Sequence, residues 1–185
     1  MTIRTPAIRV AVVLACTVAG IAWLLHKGPV PVIRIMTPLP EPAPFWYMLA
    51  AFPVLGLLVA DMVDLVLADG LTLNTLELGC QIVVLILLSN LRLGIRLPIS
   101  GHALLVSYFI FRRLFIPAAS AVQNRIELGL AFLILLIVVY PKLVWWTDPI
   151  TLTLGVALGL ILAAISWYFD SAIQRWRPAD ARNPA

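Results

Sequence analysis

Residues 128–146 read LGLAFLILLIVVYPKLVWW, and this stretch decides the fold class. It is apolar without interruption until Lys142, so it lacks the alternation of apolar and polar residues that marks a strand of a membrane barrel. About 20 consecutive apolar residues are enough for one helix to cross a bilayer. The stretch therefore predicts a transmembrane α-helix.

The rest of the chain repeats this pattern. Of its 185 residues 62% are hydrophobic and 12% are charged, and the mean hydropathy is +1.03. A water-soluble domain, with about 25% charged residues, is excluded. We predict an all-α, polytopic integral membrane bundle, one domain over residues 1–185. Its six transmembrane helices are expected at about residues 8–25, 45–68, 71–91, 98–116, 128–146 and 149–169.

The connections between these runs carry their own signals. Residues 26–44 hold six prolines, a density that no helix tolerates, so they are expected to form an external loop. Asp69-Gly70 predicts a turn, and residues 170–185 form a polar tail. The first run follows Arg4 like a signal sequence but is too long for one, and we interpret it as an uncleaved helix.

The basic residues predict the orientation. With six spans, eight of them fall on the side of the two termini: Arg4, Arg9, Arg112, Arg113, Arg125, Arg175, Arg177 and Arg182. Five fall on the other side: Lys27, Arg34, Arg92, Arg96 and Lys142. This bias favours cytoplasmic termini. Short loops and the absence of organelle signals favour the cytoplasmic (inner) membrane of a bacterium. The cations left on the outer face call for another explanation, which can be functional.

Several partners are disfavoured by the sequence. The basic residues do not cluster with aromatic residues as in a nucleic-acid interface, so no nucleic acid is expected. Two distant histidines do not form a metal site, and no cofactor is implied. The bilayer is the expected environment, and a homo-oligomer stays an open alternative.

Residues 90–102, NLRLGIRLPISGH, join the third and fourth predicted spans on the outer face. Pro98 suits a first helical turn, and Ser100 and Gly101 would expose backbone N–H groups that attract anions. Arg92 and Arg96 can add bidentate contacts to a phosphate, and His102 can exchange a proton near neutral pH. The alternative is structural: the arginines anchor the chain at the interface and His102 caps the helix.

The loop between the fifth and sixth predicted spans falls on the same face. It places Lys142 and Asp148 six positions apart, beside Thr147 and Thr151. The structural alternative is that Lys142 extends to the interface beside an aromatic belt and that Asp148 caps the sixth helix ahead of Pro149. Convergence of the two loops on one face favours a shared anion site.

The sequences of these two loops resemble motifs of the type 2 phosphatidic acid phosphatase superfamily. The motifs of that superfamily read Lys-x6-Arg-Pro, Pro-Ser-Gly-His and Ser-Arg-x5-His-x3-Asp. Ser100-Gly101-His102 matches the core of the second motif, with Pro98 displaced by one residue. Arg96-Leu97-Pro98 resembles a compressed Arg-Pro, and Lys142-x5-Asp148 stands where Arg-x5-His is expected. The resemblance covers residues 90–164 and implies a metal-independent phosphohydrolase acting on a phosphorylated lipid, such as a phosphatidate or an isoprenyl phosphate.

The resemblance also implies roles for the site residues. Arg92, Arg96, Ser100, Gly101 and Lys142 are expected to bind the substrate phosphate, and His102 to protonate the leaving oxygen. The attacking histidine of the third motif is absent here, so either Asp148 attacks as a carboxylate and forms an acyl phosphate, or His102 takes a new role. A member of the family that binds the lipid without hydrolysing it fits the same residues.

A second polar group is expected toward the cytoplasmic half. It comprises Asp61, Asp64, Asp69, Glu77 and Glu127, with Arg112, Arg113 and Arg125 near them. Ionisable groups inside spans are costly and should face the bundle and pair. They give the competing hypothesis, a small membrane transporter or a non-catalytic membrane subunit that uses the buried carboxylates of the second and third spans. Gly155-x3-Gly159 predicts a close helix contact.

Overall fold

A computed structural model describes residues 4–28, 31–32, 41–42, 45–95, 98–118, 120–145 and 149–176 of the chain. In this part the fold is helical. The helices are α1 (Arg4–Lys27), α2 (Phe45–Leu49), α3 (Ala51–Asp69), α4 (Leu73–Ile95), α5 (Gly101–Phe115), α6 (Ala121–Tyr140) and α7 (Pro149–Trp176), with a π-helical turn at Pro141–Trp145. Two strands of two residues, β1 (Pro31–Val32) and β2 (Glu41–Pro42), pair antiparallel between α1 and α2.

Four segments are long and apolar enough to cross a membrane. They are Ala7–Lys27, Trp46–Asp69, Ala121–Val144 and Pro149–Ile173, and Leu73–Ser89 is a shorter apolar helix. Large apolar side chains stay exposed along them, for example Leu14, Leu67 and Leu136. A helix that presents apolar residues to its surroundings needs an apolar solvent. The prediction of a helical protein with membrane-spanning segments is therefore confirmed at this level.

Helix α5 forms the centre of the bundle. Every residue from Gly101 to Ile110 is buried, including Tyr108 and Phe109. The helix is surrounded by α3, α4, α6 and α7, of which α7 makes the most extensive contact. Because α5 faces protein on all sides, its polar residues are held among other helices and not in lipid.

Helices α5 and α7 run parallel and pack closely. A Cβ atom on Gly155 would lie 2.7 Å from the carbonyl oxygen of Ser100, and one on Gly159 would lie 2.8 Å from that of Leu104. Both glycines are thus needed because no side chain fits between the two backbones. The predicted role of Gly155-x3-Gly159 as a helix contact is confirmed.

Some predicted boundaries are wrong for reasons of local chemistry. Pro98 precedes α5 instead of lying in its first turn, because Ser100 is the N-cap and its Oγ accepts from the backbone N–H of Ala103. Likewise α6 begins at Ala121, ahead of the predicted residue 128, because Ser120 caps its polar first turn.

Other boundaries differ in smaller ways. The predicted second span is divided at Ala50 into α2 and α3. Helix α7 continues to Trp176, so the first part of the predicted polar tail is helical. The Asp69-Gly70 turn is confirmed, and Gly70 adopts a φ of 73°, which a glycine tolerates without strain.

Candidate functional site

The amino-terminal ends of α5 and α7 meet at one point. Ser100 lies at φ −79° and ψ 107°, and its backbone N–H donates to the carbonyl oxygen of Thr151, the two atoms being 2.9 Å apart. Ser100 is fully buried and Thr151 nearly so. Because the two helices are parallel, the first turns of both point their backbone N–H groups toward the same end.

Lys142 lies beside this junction. Pro141 has no N–H to continue the α-helical hydrogen bonding of α6, and the chain forms the π-helical turn there. In this turn Tyr140, Leu143 and Val144 are exposed, whereas Lys142 is turned inward and only 2% exposed. Its Nζ donates to Oγ1 of Thr151 over 3.4 Å. Thr151 therefore connects the lysine to the start of α5.

We call Ser100, Gly101, Lys142 and Thr151 the α5–α7 site. Its electrostatics are positive from two sources. Each helix dipole places a partial positive charge at the amino-terminal end, and here two such ends coincide. Lys142 adds a basic side chain in a buried position, with its Nζ at Thr151. This combination favours an anion, above all one whose oxygens can accept several hydrogen bonds.

His102 occupies the opposite side of α5. Its ring lies against the ring of Tyr47, with centroids 4.5 Å apart, and its Nε2 is 3.4 Å from the carbonyl oxygen of Met48. A carbonyl only accepts, so Nε2 is the donor and Nδ1 carries the lone pair of the neutral ring. The alternative that His102 caps α5 is wrong, because Ser100 occupies that position.

The remaining predicted site residues are only partly placed. Arg96 and Asp148 lie outside the described residues. Arg92 belongs to α4, whose bounds include it, but its side chain also lies outside the description. The structure thus brings together Ser100, Gly101 and Lys142 of the predicted set, with His102 on the far face of the same helix turn. The prediction that Ser100 exposes its backbone N–H to an anion is wrong, because Ser100 is buried and that N–H donates to Thr151.

A second polar site lies at the other end of α5. We call it the charge network, and it joins six side chains from four helices: Arg9, Asp61, Asp64, Arg112, Arg113 and Glu127. All but Asp64 are buried. Asp61 accepts from Arg9 at 2.8 Å, from Arg113 at 2.5 Å and from Arg112 at 3.3 Å. The guanidinium of Arg113 also lies 5.3 Å from the ring centroid of Phe109.

Glu127 completes the network from α6. Its carboxylate accepts from Arg9 at 2.6 Å and from Arg113 at 2.5 Å. Gln123, one turn earlier, donates to it at 3.0 Å. Asp64 accepts from Arg9 and is the most exposed member, with 28% of its side chain accessible. Each carboxylate therefore has at least one arginine partner.

The sequence predicted most of this network. The pairing expected of Asp61 with Arg112 and Arg113, and of Glu127 with Arg113, is confirmed. Asp64 pairs instead with Arg9. Arg9 enters the sequence argument only through the count of basic residues that predicts the orientation. Its position inside an apolar run also indicates that it needs a buried partner. Two of the expected members, Asp69 and Arg125, are exposed and belong to none of the ion pairs found among the described residues.

Glu77 belongs to a separate contact. Its Oε1 accepts from the hydroxyl of Ser166 over 2.8 Å, which links α4 to α7. Among the described ranges, no three His, Cys, Asp or Glu side chains come together in a way that can hold a metal ion.

The comparisons with known proteins gave no relatives. No protein-family model, no curated protein and no solved structure matches the chain. Its function must therefore be argued from the α5–α7 site and the charge network themselves.

Proposed function

We propose that the protein binds a phosphorylated lipid through the phosphate group at the α5–α7 site. The observation that carries the proposal is the buried ammonium of Lys142 beside two coincident helix amino termini. A phosphate monoester offers several anionic oxygens, enough to accept from an ammonium and from backbone N–H groups together. The ligand class is the phosphatidate or isoprenyl phosphate type that the Ser-Gly-His motif implies.

The topology that goes with this proposal has six spans and both termini in the cytoplasm. The charge network supports it, because it joins the beginnings of α1 and α6 to the ends of α3 and α5. Since α7 runs parallel to α5, it ends on the same side as α1 begins. The α5–α7 site then faces outward from a bacterial cytoplasmic membrane, on the side where α4 ends. Arg92 and Arg96, predicted from the sequence to bind the phosphate, are part of this proposal.

Lipid access is supported by the exposure around Lys142. Tyr140, Leu143 and Val144 flank it and are 54%, 45% and 56% exposed, so they contact lipid tails in a bilayer. Lys142 itself is only 2% exposed, so the proposal requires the π-helical turn to open before a headgroup reaches Lys142 from the side, while its acyl chains stay against these apolar residues. This arrangement favours a lipid over a soluble phosphate ester.

The test is equilibrium binding of a short-chain phosphatidate to the native chain in detergent, compared with the matching diacylglycerol. Each charge-assisted hydrogen bond contributes about 1.5–3 kcal/mol, so we expect phosphatidate to bind at least about 10-fold more tightly. Equal affinity for the two lipids would contradict the proposal.

Thr151 is expected to position Lys142 in this site. Thr151→Val removes the hydroxyl that accepts from Nζ and keeps the shape of the side chain, so phosphatidate affinity should fall about 3- to 10-fold. Thr153→Val is the matched control, because Thr153 lies on the same helix, is exposed and bonds only to the carbonyl of Pro149 in the described contacts. Equal effects of the two variants would remove the assigned role of Thr151.

Hydrolysis is an extension of the binding proposal. The carboxylate oxygen of Asp148 would attack phosphorus and form an acyl phosphate, while the lipid alcohol leaves with a proton from His102. Water then cleaves the acyl phosphate and releases inorganic phosphate. His102 lies on the opposite side of α5 from Lys142 and its Nε2–H donates to the carbonyl of Met48, so this step requires the ring to leave that contact and turn toward the substrate.

Release of inorganic phosphate from phosphatidate, phosphatidylglycerol phosphate and isoprenyl phosphates tests this step. A general acid contributes about 10²- to 10⁴-fold, so His102→Ala should lower the rate by that factor. His26→Ala is the control, because His26 is the other of the two histidines in the chain and is exposed at the end of α1. Release that survives His102→Ala would exclude His102 as the proton donor.

The competing proposal is a small transporter, or a non-catalytic membrane subunit, that uses Asp61 and Glu77. Glu77 favours it, because its carboxylate is hydrogen-bonded by the neutral side chains of Ser166 and Gln81 and belongs to none of the ion pairs among the described residues, although Arg112 also attracts it. Asp61 does not, since three arginines hold its carboxylate. A transporter predicts that Glu77→Gln abolishes solute flux while His102→Ala has little effect.

A further inference from the structure

The charge network is electrically balanced. It contains three arginines and three carboxylates, so its formal charge is zero when all six are ionised. Its surroundings are apolar helices, in which an isolated charge is costly. Removal of one partner from a buried pair leaves the other uncompensated and is strongly destabilising. The balance is therefore a condition for the bundle to form.

Helix α1 depends on this network more than the other helices do. Most of α1 is turned away from the protein, and Val10, Leu14 and Val18 are 59–62% exposed. Arg9 is the exception near its beginning, because it is buried and bonds to two helices at once. Farther along, Gly56 of α3 allows the backbone of α1 to approach closely at Val13.

Arg9 bridges two parts of the bundle. Through Asp61 and Asp64 it holds α1 to α3, its main packing partner. Through Glu127 it holds α1 to α6, which packs mainly on α5. The Arg9–Glu127 ion pair thus closes the bundle between α1 and α6 at this end.

We propose that the charge network is a neutral latch that fixes α1 against α6 and that holds only while its net charge is zero. The latch has two separable properties. Stability depends on the balance of charge, whereas the α1–α6 distance depends on the Arg9–Glu127 bridge itself. The inference is independent of the lipid proposal, since it concerns the opposite end of α5.

A double-mutant cycle separates these properties. Arg9→Gln leaves the network with one excess negative charge, and Glu127→Gln leaves it with one excess positive charge. The double variant is neutral again. In detergent we expect each single change to lower the thermal midpoint by about 10 °C and the double change to recover most of that loss, because Asp64, which then lacks Arg9, is 28% exposed and can be solvated. Arg125→Gln is the control on α6, because Arg125 is exposed, and it should leave the midpoint unchanged.

The distance between α1 and α6 is measured on the same variants with spin labels. Residues 10 and 122 are suitable because both valines are exposed and lie near Arg9 and Glu127 in sequence. The native Cys16 and Cys80 are first replaced by alanine. We expect one narrow distance distribution for the parent chain and a broad one for the double variant, even though its stability is recovered.

Three results would overturn the proposal. Single variants as stable as the parent would show that balance is not required. A double variant that loses as much stability as the two single changes together would also show that balance is not required. If a single variant fails to fold, a double variant that fails as well would give the same result. A narrow distribution in the double variant would show that Arg9 and Glu127 do not hold α1 against α6.

Discussion

Replacement of Gly159 by leucine is expected to leave no folded protein in detergent extracts. The Cβ atom alone would lie 2.8 Å from the carbonyl oxygen of Leu104 and from the backbone nitrogen of Tyr108. Both are backbone atoms in the buried part of α5, Gly101 to Ile110, so they cannot move aside as a flexible side chain would. Overpacking of a core costs about 1–3 kcal/mol where side chains can adjust, and more where backbone must shift.

The measurement is the fraction of protein that elutes as a single species in size-exclusion chromatography after solubilisation. Gly129→Leu is the matched control, because a Cβ on Gly129 meets no described atom within 4 Å and the residue is exposed on α6. The control should behave like the parent chain. A well-folded Gly159→Leu variant would contradict the close parallel packing of α5 and α7.

Replacement of Lys142 by methionine is expected to weaken phosphatidate binding by about 10- to 100-fold, the value of one charge-assisted contact to a phosphate in a buried position. Methionine keeps the length of the side chain, and Lys142 is buried, so the packing of the π-helical turn should persist. Stability should not fall.

Calorimetric titration of short-chain phosphatidate into the detergent-solubilised variants measures this effect. Lys27→Met is the control, because Lys27 is an exposed cation at the end of α1. It removes the same charge from the same predicted face. Equal losses of affinity in both variants would mean that general attraction to the positive face, and not the α5–α7 site, determines binding.

The sequence predicts the helical class and the four segments that are long and apolar enough to cross a membrane, because apolar runs are long and uninterrupted. It fails at the ends of helices, where single polar residues decide. Ser100 and Ser120 cap α5 and α6, and each moves a boundary away from the limit of the apolar run. Composition alone does not distinguish a cap from an ordinary loop serine.

Tertiary contacts explain what else the sequence missed. Thr151 gains its importance from the parallel packing of α5 on α7, which places its carbonyl at Ser100 and its hydroxyl at Lys142. Arg9 gains its importance from Glu127, which is 118 positions away in the chain. Periodicity within one helix carries no information about such pairs, whereas the cost of a charge in an apolar run does predict that a partner exists.

The most direct test of phosphate binding at the α5–α7 site measures where the lipid phosphate lies on the protein. A nitroxide label at residue 143, next to Lys142, is compared with one at residue 67, toward the opposite end of the bundle, since both leucines are exposed. Cys16 and Cys80 are replaced by alanine in both proteins. If the phosphate binds at the α5–α7 site, bound phosphatidate should show a strongly broadened ³¹P resonance with the label at residue 143 and a sharp one with the label at residue 67. Broadening by the label at residue 67 alone would place the phosphate at the wrong end of the bundle and contradict the α5–α7 site.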